Sequence, residues 1–411
     1  MEKVYVIGAF RTDFKRNLLK ESKSLRDVIA EAARGAVADA GIDFGDVQSG
    51  VVGNFAAGLY TRQLHLGSLL LEADPKLVGI PTLHTEAACA SGSVAVTTAI
   101  HQIAGGIYDC VLVVGAEQQK TMSSAQGADV LAAAGDWNVE KPQYGEHMFP
   151  KLFARIASIY RERYELSDKQ LATVALKNYA HAKLNPQAQM RDANMTLEYA
   201  LNASDKNPCF APPLKITDCS QVTDGAAGIV LCSAKFLQKI AKKNRAIALL
   251  GYGQTTDYLQ LEKKKVPEFP AVRLAADKAF KMASISIKDL SSIEVHDCFS
   301  ITELVAYEAL GLADNGQAGR LLESGATALP KVRESLGVAK PPTFSIPVNT
   351  GGGLMADGHP VGATGVRQVV EAFTQLTNQA GERQVENPKS VLTFNMGGSL
   401  TTCVAMIWGK Q

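Results

Sequence analysis

The chain lacks any Cys-x-x-Cys pair. Its seven cysteines, at 89, 110, 209, 219, 232, 298 and 403, are scattered and odd in number, so neither a disulfide framework nor a structural zinc site is expected and a reducing compartment suits it. It also lacks a charge imbalance: 42 basic against 41 acidic residues leave a net charge of +1. That excludes a global field for nucleic acid or an anionic membrane, and any anionic ligand must be held by a local site. No apolar run approaches the roughly 20 residues of a membrane helix. The opening residues Val4 to Gly8 read as an alternating strand with no secretory pattern ahead of them, and a cytoplasmic location is expected.

What is present is length and small residues. With 411 residues, 46% hydrophobic, and 35 glycines, the chain can bury a large core in two or three domains. A strand over Val4–Gly8, an alanine-rich helix over Leu25–Ala40, a strand over Val51–Gly53, a helix over Val94–Ile103 and a strand over Cys110–Val114 form the alternation of a sheet covered by helices. From Gln118 to Val222 the chain turns more polar and aromatic and reads as an inserted or lid segment, with helices over Leu152–Tyr164 and Asp168–Lys183. Strand character returns at Thr223–Cys232 and Ala246–Gly251; the charged run Glu262–Lys265 reads as a solvated linker.

The layout then repeats. Leu25–Gly53 and Ala271–His296 each run helix, turn and strand, with Asp-Val-Gln-Ser at 46–49 against Asp-Leu-Ser-Ser at 289–292. The stretch opening at Cys89 faces the one opening at His359, both before helices. Val391–Phe394 and Cys403–Trp408 supply closing strands. The expected fold is therefore α/β, two pseudo-symmetric β-α-β-α-β units in layers, with Cys89 and His359 meeting at the axis. The expected division is residues 1–118 with 223–258 as the first half, 119–222 as the insertion, and 259–411 as the second half.

Cys89 stands among Ala88, Ala90 and Gly92 just before a helix, where unpaired amides would favour a thiolate; the competing reading is a small buried hydrophobe. Four loops in order then carry a resemblance. Cys89-Ala90-Ser91, His296-Asp297-Cys298-Phe299, Gly358-His359-Pro360 and Asn395-Met396-Gly397-Gly398 resemble the active-site loops of thiolases. One departure marks the type: Asn395 stands where common thiolases carry a second cysteine in Cys-x-Gly, and Cys298 appears in the third loop instead. That pattern is similar to the sterol-carrier-protein type of thiolase.

The resemblance implies an acyl-CoA C-acyltransferase, cleaving 3-ketoacyl-CoA or condensing acetyl-CoA through an acyl-Cys89 intermediate, with acetoacetyl-CoA as the first expected substrate. It implies His359 as the base for Cys89, Cys298 as the acid/base at carbon, His296 beside the enolate oxygen, and the amides of Cys89 and Gly397 around the acyl oxygen. Asn349 would fix the Gly351–Gly353 loop. Met148 and Phe149 line the acyl pocket or pack a helix; Lys151 and Arg155 could meet phosphates. His296 and Asp297 could instead cap the helix near Ser300, and Cys298 could be inert core. Cys110, Cys219, Cys232 and Cys403 are assigned to packing, and His84, His101 and His181 to no partner. No cofactor and no metal are expected, only CoA thioesters as substrates, with no nucleic acid or membrane partner. A homodimer or homotetramer is expected by analogy, the strand after the Cys89 helix extending a sheet across a twofold. Two other readings stay open: a decarboxylating ketoacyl synthase using Cys89, His296 and His359, and an acyl-CoA-binding subunit of a larger complex.

Overall fold

The computed structural model describes residues 2–410. Nine strands are introduced in chain order: β1 (Val4–Arg11), β2 (Ser49–Gly53), β3 (Thr82–Thr85), β4 (Cys110–Glu117), β5 (Gly225–Ser233), β6 (Ile247–Thr256), β7 (Ser292–Glu294), β8 (Ser390–Gly397) and β9 (Thr402–Lys410). Their order across the sheet is β3-β2-β4-β5-β1-β6-β9-β8-β7. Read outward from the β1–β6 junction, β1-β5-β4-β2 is matched by β6-β9-β8-β7. Even the directions agree: β2·β4 and β7·β8 are parallel, and the other pairs within these two sets of four are antiparallel, with β3 added in parallel beside β2. The expected repeat is thus a repeat of pairing as well as of sequence.

Alternating side chains on the strands divide the core into layers. On one face of the first half, Ile7, Leu112, Val114 and Val230 pack under the Leu25–Ala40 helix. On the other, Val111, Val113, Ile229 and Leu231 join the Ser91–Ala104 and Thr364–Leu376 helices, along with Val391, Val404 and Trp408 of the second half. Leu392, Phe394, Ala405 and Ile407 face outward again, onto the Pro270–Ala283 helix. This is the expected helix–sheet–helix–sheet–helix layering. The two half-sheets are not separate, however; Tyr5 with Ala248 and Val6 with Ile247 join them edge to edge.

The outer helices approach their first strands closely in both halves. A Cβ on Gly8 would stand 2.4 Å from Ala40 N, and one on Gly253 would stand 2.1 Å from Ala275 O. Alanine on the helix and glycine on the strand give backbone-to-backbone packing, which no larger side chain would fit.

Between β4 and β5, the Met148–Tyr164 and Asp168–Ala182 helices bury their apolar faces in the core shared with the second half, where Phe153 stacks on Phe299 at 4.3 Å. Three expectations are corrected. The strand after the Cys89 helix, β4, lies inside the sheet between β2 and β5; the edge strand of this half is β3, which precedes Cys89. The run Glu262–Lys265 is not wholly solvated, since Lys264 is buried with its Nζ bonded to Ser399 and Thr401. The helix at Ser300 takes no side-chain cap from Asp297, whose carboxylate instead accepts from Leu354 N and Met355 N.

Candidate active site

Cys89 lies two residues ahead of the Ser91–Ala104 helix, on a tight turn that follows β3. Ala88 takes a left-handed φ of 50° and Ser91 braces the turn, its Oγ donating to Ala88 O and accepting from Ala87 N. A non-glycine residue in that conformation is a local strain that the surrounding packing must hold. The sulfur is buried, and burial pushes the thiol up to about 12, with the nearby Glu117 carboxylate adding to the rise. The N–H of Gly398 and the residue's own amide pull the other way. The expected helix-terminus thiolate is therefore corrected: at rest the group is a thiol, because desolvation outweighs the amides.

His359 enters from the second half, just before the Thr364–Leu376 helix. Its Nδ1 lies 2.6 Å from Thr364 Oγ1, and that hydroxyl donates to Pro360 O. The hydroxyl proton being spent, Nδ1 carries the ring proton and Nε2 keeps its lone pair. Burial, then the Arg367 guanidinium, depress His359 to about 3. His296 stands edge-on to it, ring centres 5.3 Å apart. Asn395 Nδ2, which can only donate, meets His296 Nδ1 at 3.0 Å, so the His296 proton sits on Nε2. That Nε2 has no protein partner. Burial, His359 and Arg367 hold His296 well below the usual imidazole range.

One donor atom from each of Cys89, His296 and His359 lies within 4.8 Å of the others. The set is close enough to share one soft metal ion, and equally to surround one carbonyl carbon and its oxygen. Cys298 faces the same cavity, its Sγ 3.8 Å from Thr302 Oγ1, with burial and then Cys89 raising its thiol well above the ordinary range.

The cavity holds about 420 Å³ and is walled mainly by apolar side chains, among them Tyr60, Met122, Leu131, Phe149, Phe210 and Ile216. Phe149 is on the wall. Met148 is fully buried beside Gly135 and does not reach it. Asn349, with φ 57°, accepts from Val295 N and donates to Glu303, fixing the chain behind His296. The amide at the Cys89 sulfur is that of Gly398; Gly397 instead packs so tightly that a Cβ would stand 2.1 Å from Ala87 O. Lys151 is engaged with Tyr144 O and Arg155 with Glu262, and neither lines the cavity.

Comparison with known proteins decides what this geometry belongs to. The thiolase N-terminal domain model matches residues 4–235 and the thiolase C-terminal domain-like model matches 253–410. The chain belongs to the thiolase family. Among its relatives is an acetyl-CoA acetyltransferase of Methanothermobacter thermautotrophicus, 34% identical over the whole of both chains. Human sterol carrier protein 2 is 30% identical over 97% of this chain and 70% of that protein. In fold, the chain matches the Ltp2-ChsH2(DUF35) aldolase with a TM-score of 0.80 at 21% identity, covering 99% of this chain and 98% of that one. Human mitochondrial 3-ketoacyl-CoA thiolase in complex with CoA gives 0.72 at 18%, covering 100% and 98%.

In this thiolase several residues escaped sequence reasoning. Glu117 is fully buried at the end of β4 and bonds Asn54 Nδ2, Phe55 N and Gly362 N, stitching the Cys89 side to the His359 side; burial raises it to about 7. Cys219, assigned to packing, lines the cavity. The histidines without an expected partner all have one: His84 contacts Asn54 O, His101 contacts Tyr252 Oη, and His181 is clamped between Asn349 O and Leu329 N. Only Glu117 carried a signal, as an acid ending an apolar strand. No helix among the described residues is long and apolar enough to cross a membrane.

Proposed function

We propose that this thiolase transfers acetyl or other short acyl groups between CoA thioesters by thiolysis of 3-ketoacyl-CoA and the reverse condensation, with acetoacetyl-CoA as the first substrate to test. The observation that carries the reading is the convergence of Cys89, His296 and His359 within 4.8 Å at one end of an apolar cavity that Cys298 also faces.

In the cleaving direction His359 Nε2 takes the Cys89 proton as the sulfur attacks the 3-keto carbon. Burial disfavours a lone thiolate and a lone imidazolium alike, but the two charges form together and stabilise each other. The new oxyanion is held by the amides of Cys89 and Gly398. As the C2–C3 bond breaks, its electron pair becomes an enolate whose oxygen accepts from His296 Nε2–H. The Cys298 thiol gives its proton to C2, releasing acetyl-CoA and leaving acyl-Cys89. The Cys298 thiolate then takes the proton of incoming CoA, whose sulfur attacks the acyl-enzyme. His359 has meanwhile returned its proton to the Cys89 sulfur as that leaves. A thiol held high by burial suits Cys298, because it arrives protonated and its thiolate is a strong base for the reverse step.

The segment 119–222 serves as the loop domain along which the pantetheine arm reaches Cys89, with Phe149 on the acyl side. A cytoplasmic setting keeps the free thiols reduced. The chemistry needs no metal or cofactor. A decarboxylating synthase would leave Cys298 without a task. One structural neighbour is an aldolase that pairs Ltp2 with ChsH2(DUF35), which favours asking whether this chain, itself a homodimer or homotetramer, also works with a second subunit; copurification of a stoichiometric second chain would support it.

Intact mass measurement after incubation with acetyl-CoA tests the core of the reading. Wild type and Cys298→Ala gain one acetyl group and release CoA, while Cys89→Ala does not. If no variant acylates, acetyl transfer from CoA is wrong for this protein.

A further inference from the structure

The turn that delivers Gly398 N–H to the Cys89 sulfur is held from behind by one buried cation. Lys264 Nζ donates to Ser399 O at 2.5 Å, Ser399 Oγ at 3.0 Å and Thr401 Oγ1 at 2.8 Å. All three are neutral oxygens on the 397–401 turn, and among the described residues no carboxylate lies within ion-pair distance of this ammonium. The turn needs holding. Leu400 has φ 61° and Gly398 φ 64°, and a side-chain-bearing residue at such an angle is strained. Lys264 is anchored in its turn: its N–H bonds Leu261 O, and Leu261 N bonds the buried Glu140 carboxylate of the inserted segment.

We infer that Lys264 is a positioning residue for the thiolase reaction, its three N–H groups clamping the 397–401 turn so that Gly398 N–H stays aimed at the Cys89 sulfur. The inference rests on the proposed role of Cys89. A structural pin of ordinary kind would use an apolar side chain or an ion pair; a buried ammonium facing only neutral acceptors is costly, and its position behind the oxyanion donor is what it secures. Burial lowers Lys264 to about 8 against the opposing pull of Asp257, Cys403 and Glu140, while its chain neighbours Glu262, Lys263 and Lys265 are exposed. Loss of its proton removes one donor from three filled acceptors, so the clamp loosens as pH rises through about 8.

The test compares wild type, Lys264→Met and Lys264→Arg in two readouts: cleavage of acetoacetyl-CoA from pH 6 to 10, and the rate at which iodoacetamide alkylates Cys89, followed by peptide mass mapping. In wild type kcat falls above about pH 8. K264M lowers kcat about tenfold, with KM within about twofold and without that alkaline fall; K264R keeps its activity to higher pH. K264M also slows Cys89 alkylation about tenfold at pH 8, as a one-unit rise in the thiol would. A folded K264M with wild-type kcat and pH profile overturns the inference. If K264M does not fold, a K264R profile that still falls at wild-type pH overturns it. A wild type that alkylates normally but turns over no thioester sinks the thiolase reading alone, and Lys264 is then judged on alkylation.

Discussion

On the first half of the sheet, the turn ahead of the Ser91–Ala104 helix presents Cys89 among alanines and glycines, with a single fully buried acid, Glu117, nearby. On the second half, the turn ahead of the Thr364–Leu376 helix presents His359 in front of a buried charge network. Arg367 pairs with Glu294, Arg11 with Asp357, and Arg383 with Glu371. Equivalent elements therefore carry opposite electrostatic settings. The apolar, faintly negative side keeps a sulfur protonated until a base arrives, and the cation-bearing side keeps both imidazoles neutral so that one has a lone pair to offer. A shared backbone position gives proximity, and burial, reinforced by the charge behind each group, decides protonation.

The comparison can be broken from either side. The largest effect is expected from Cys89→Ala, which should reduce acetoacetyl-CoA cleavage by about 10⁴-fold or more, since the covalent intermediate is lost. Arg367→Met strands Glu294 without its partner; urea unfolding should find a loss of about 3–5 kcal/mol. In that variant the His359 titration, followed by imidazole NMR, should move upward. Cys298→Ala should lower turnover by about 10²-fold or more and slow the acetylation of Cys89 without abolishing it, since the departing CoA loses its proton donor but the nucleophile and its base remain, as stopped-flow release of CoA would record. Thr364→Val frees the His359 tautomer and should cost about tenfold in acylation rate.

The buried histidines add a pH test. His181 and His359 are held near 3 and His296 well below its usual value, so the unfolded chain binds more protons than the folded one below about pH 6.5. Stability is fully present above that pH and falls as pH drops, by about 1.4 kcal/mol per unit for each histidine until its folded value is reached. Glu117, raised to about 7, works in the opposite sense over the same range, so the check is site-specific: a His359 or His296 imidazole that NMR shows taking up a proton between pH 7 and 4.5 would contradict the neutral-imidazole account.

The helix over Leu25–Ala40 was legible to the residue because its alanines recur at helical spacing and Gly41 stops it in the left-handed region. The four loops were legible because each gathers reactive and small residues where backbones must meet. Lys264 was not legible: a lysine between charged neighbours reads as solvated, and only the acceptors contributed from Ser399 and Thr401 make burial tolerable. Nor was Met148 separable from Phe149, since adjacent helical residues point about 100° apart and the sequence does not say which arc faces the cavity.

The sequence by itself determined the two-fold repetition of helix and strand, the thiol and imidazole that open the central helices, and a second thiol at position 298 within a loop that resembles a thiolase loop, because local periodicity and residue chemistry are written along the chain. Tertiary structure alone decided that Cys89 rests as a thiol, that His359 offers Nε2, that Gly398 rather than Gly397 supplies the amide at the sulfur, and that Glu117 and Arg367 stand behind the pair. Each of these depends on desolvation or on a hydrogen-bond partner distant along the chain, and neither exists until the two halves have closed on one another.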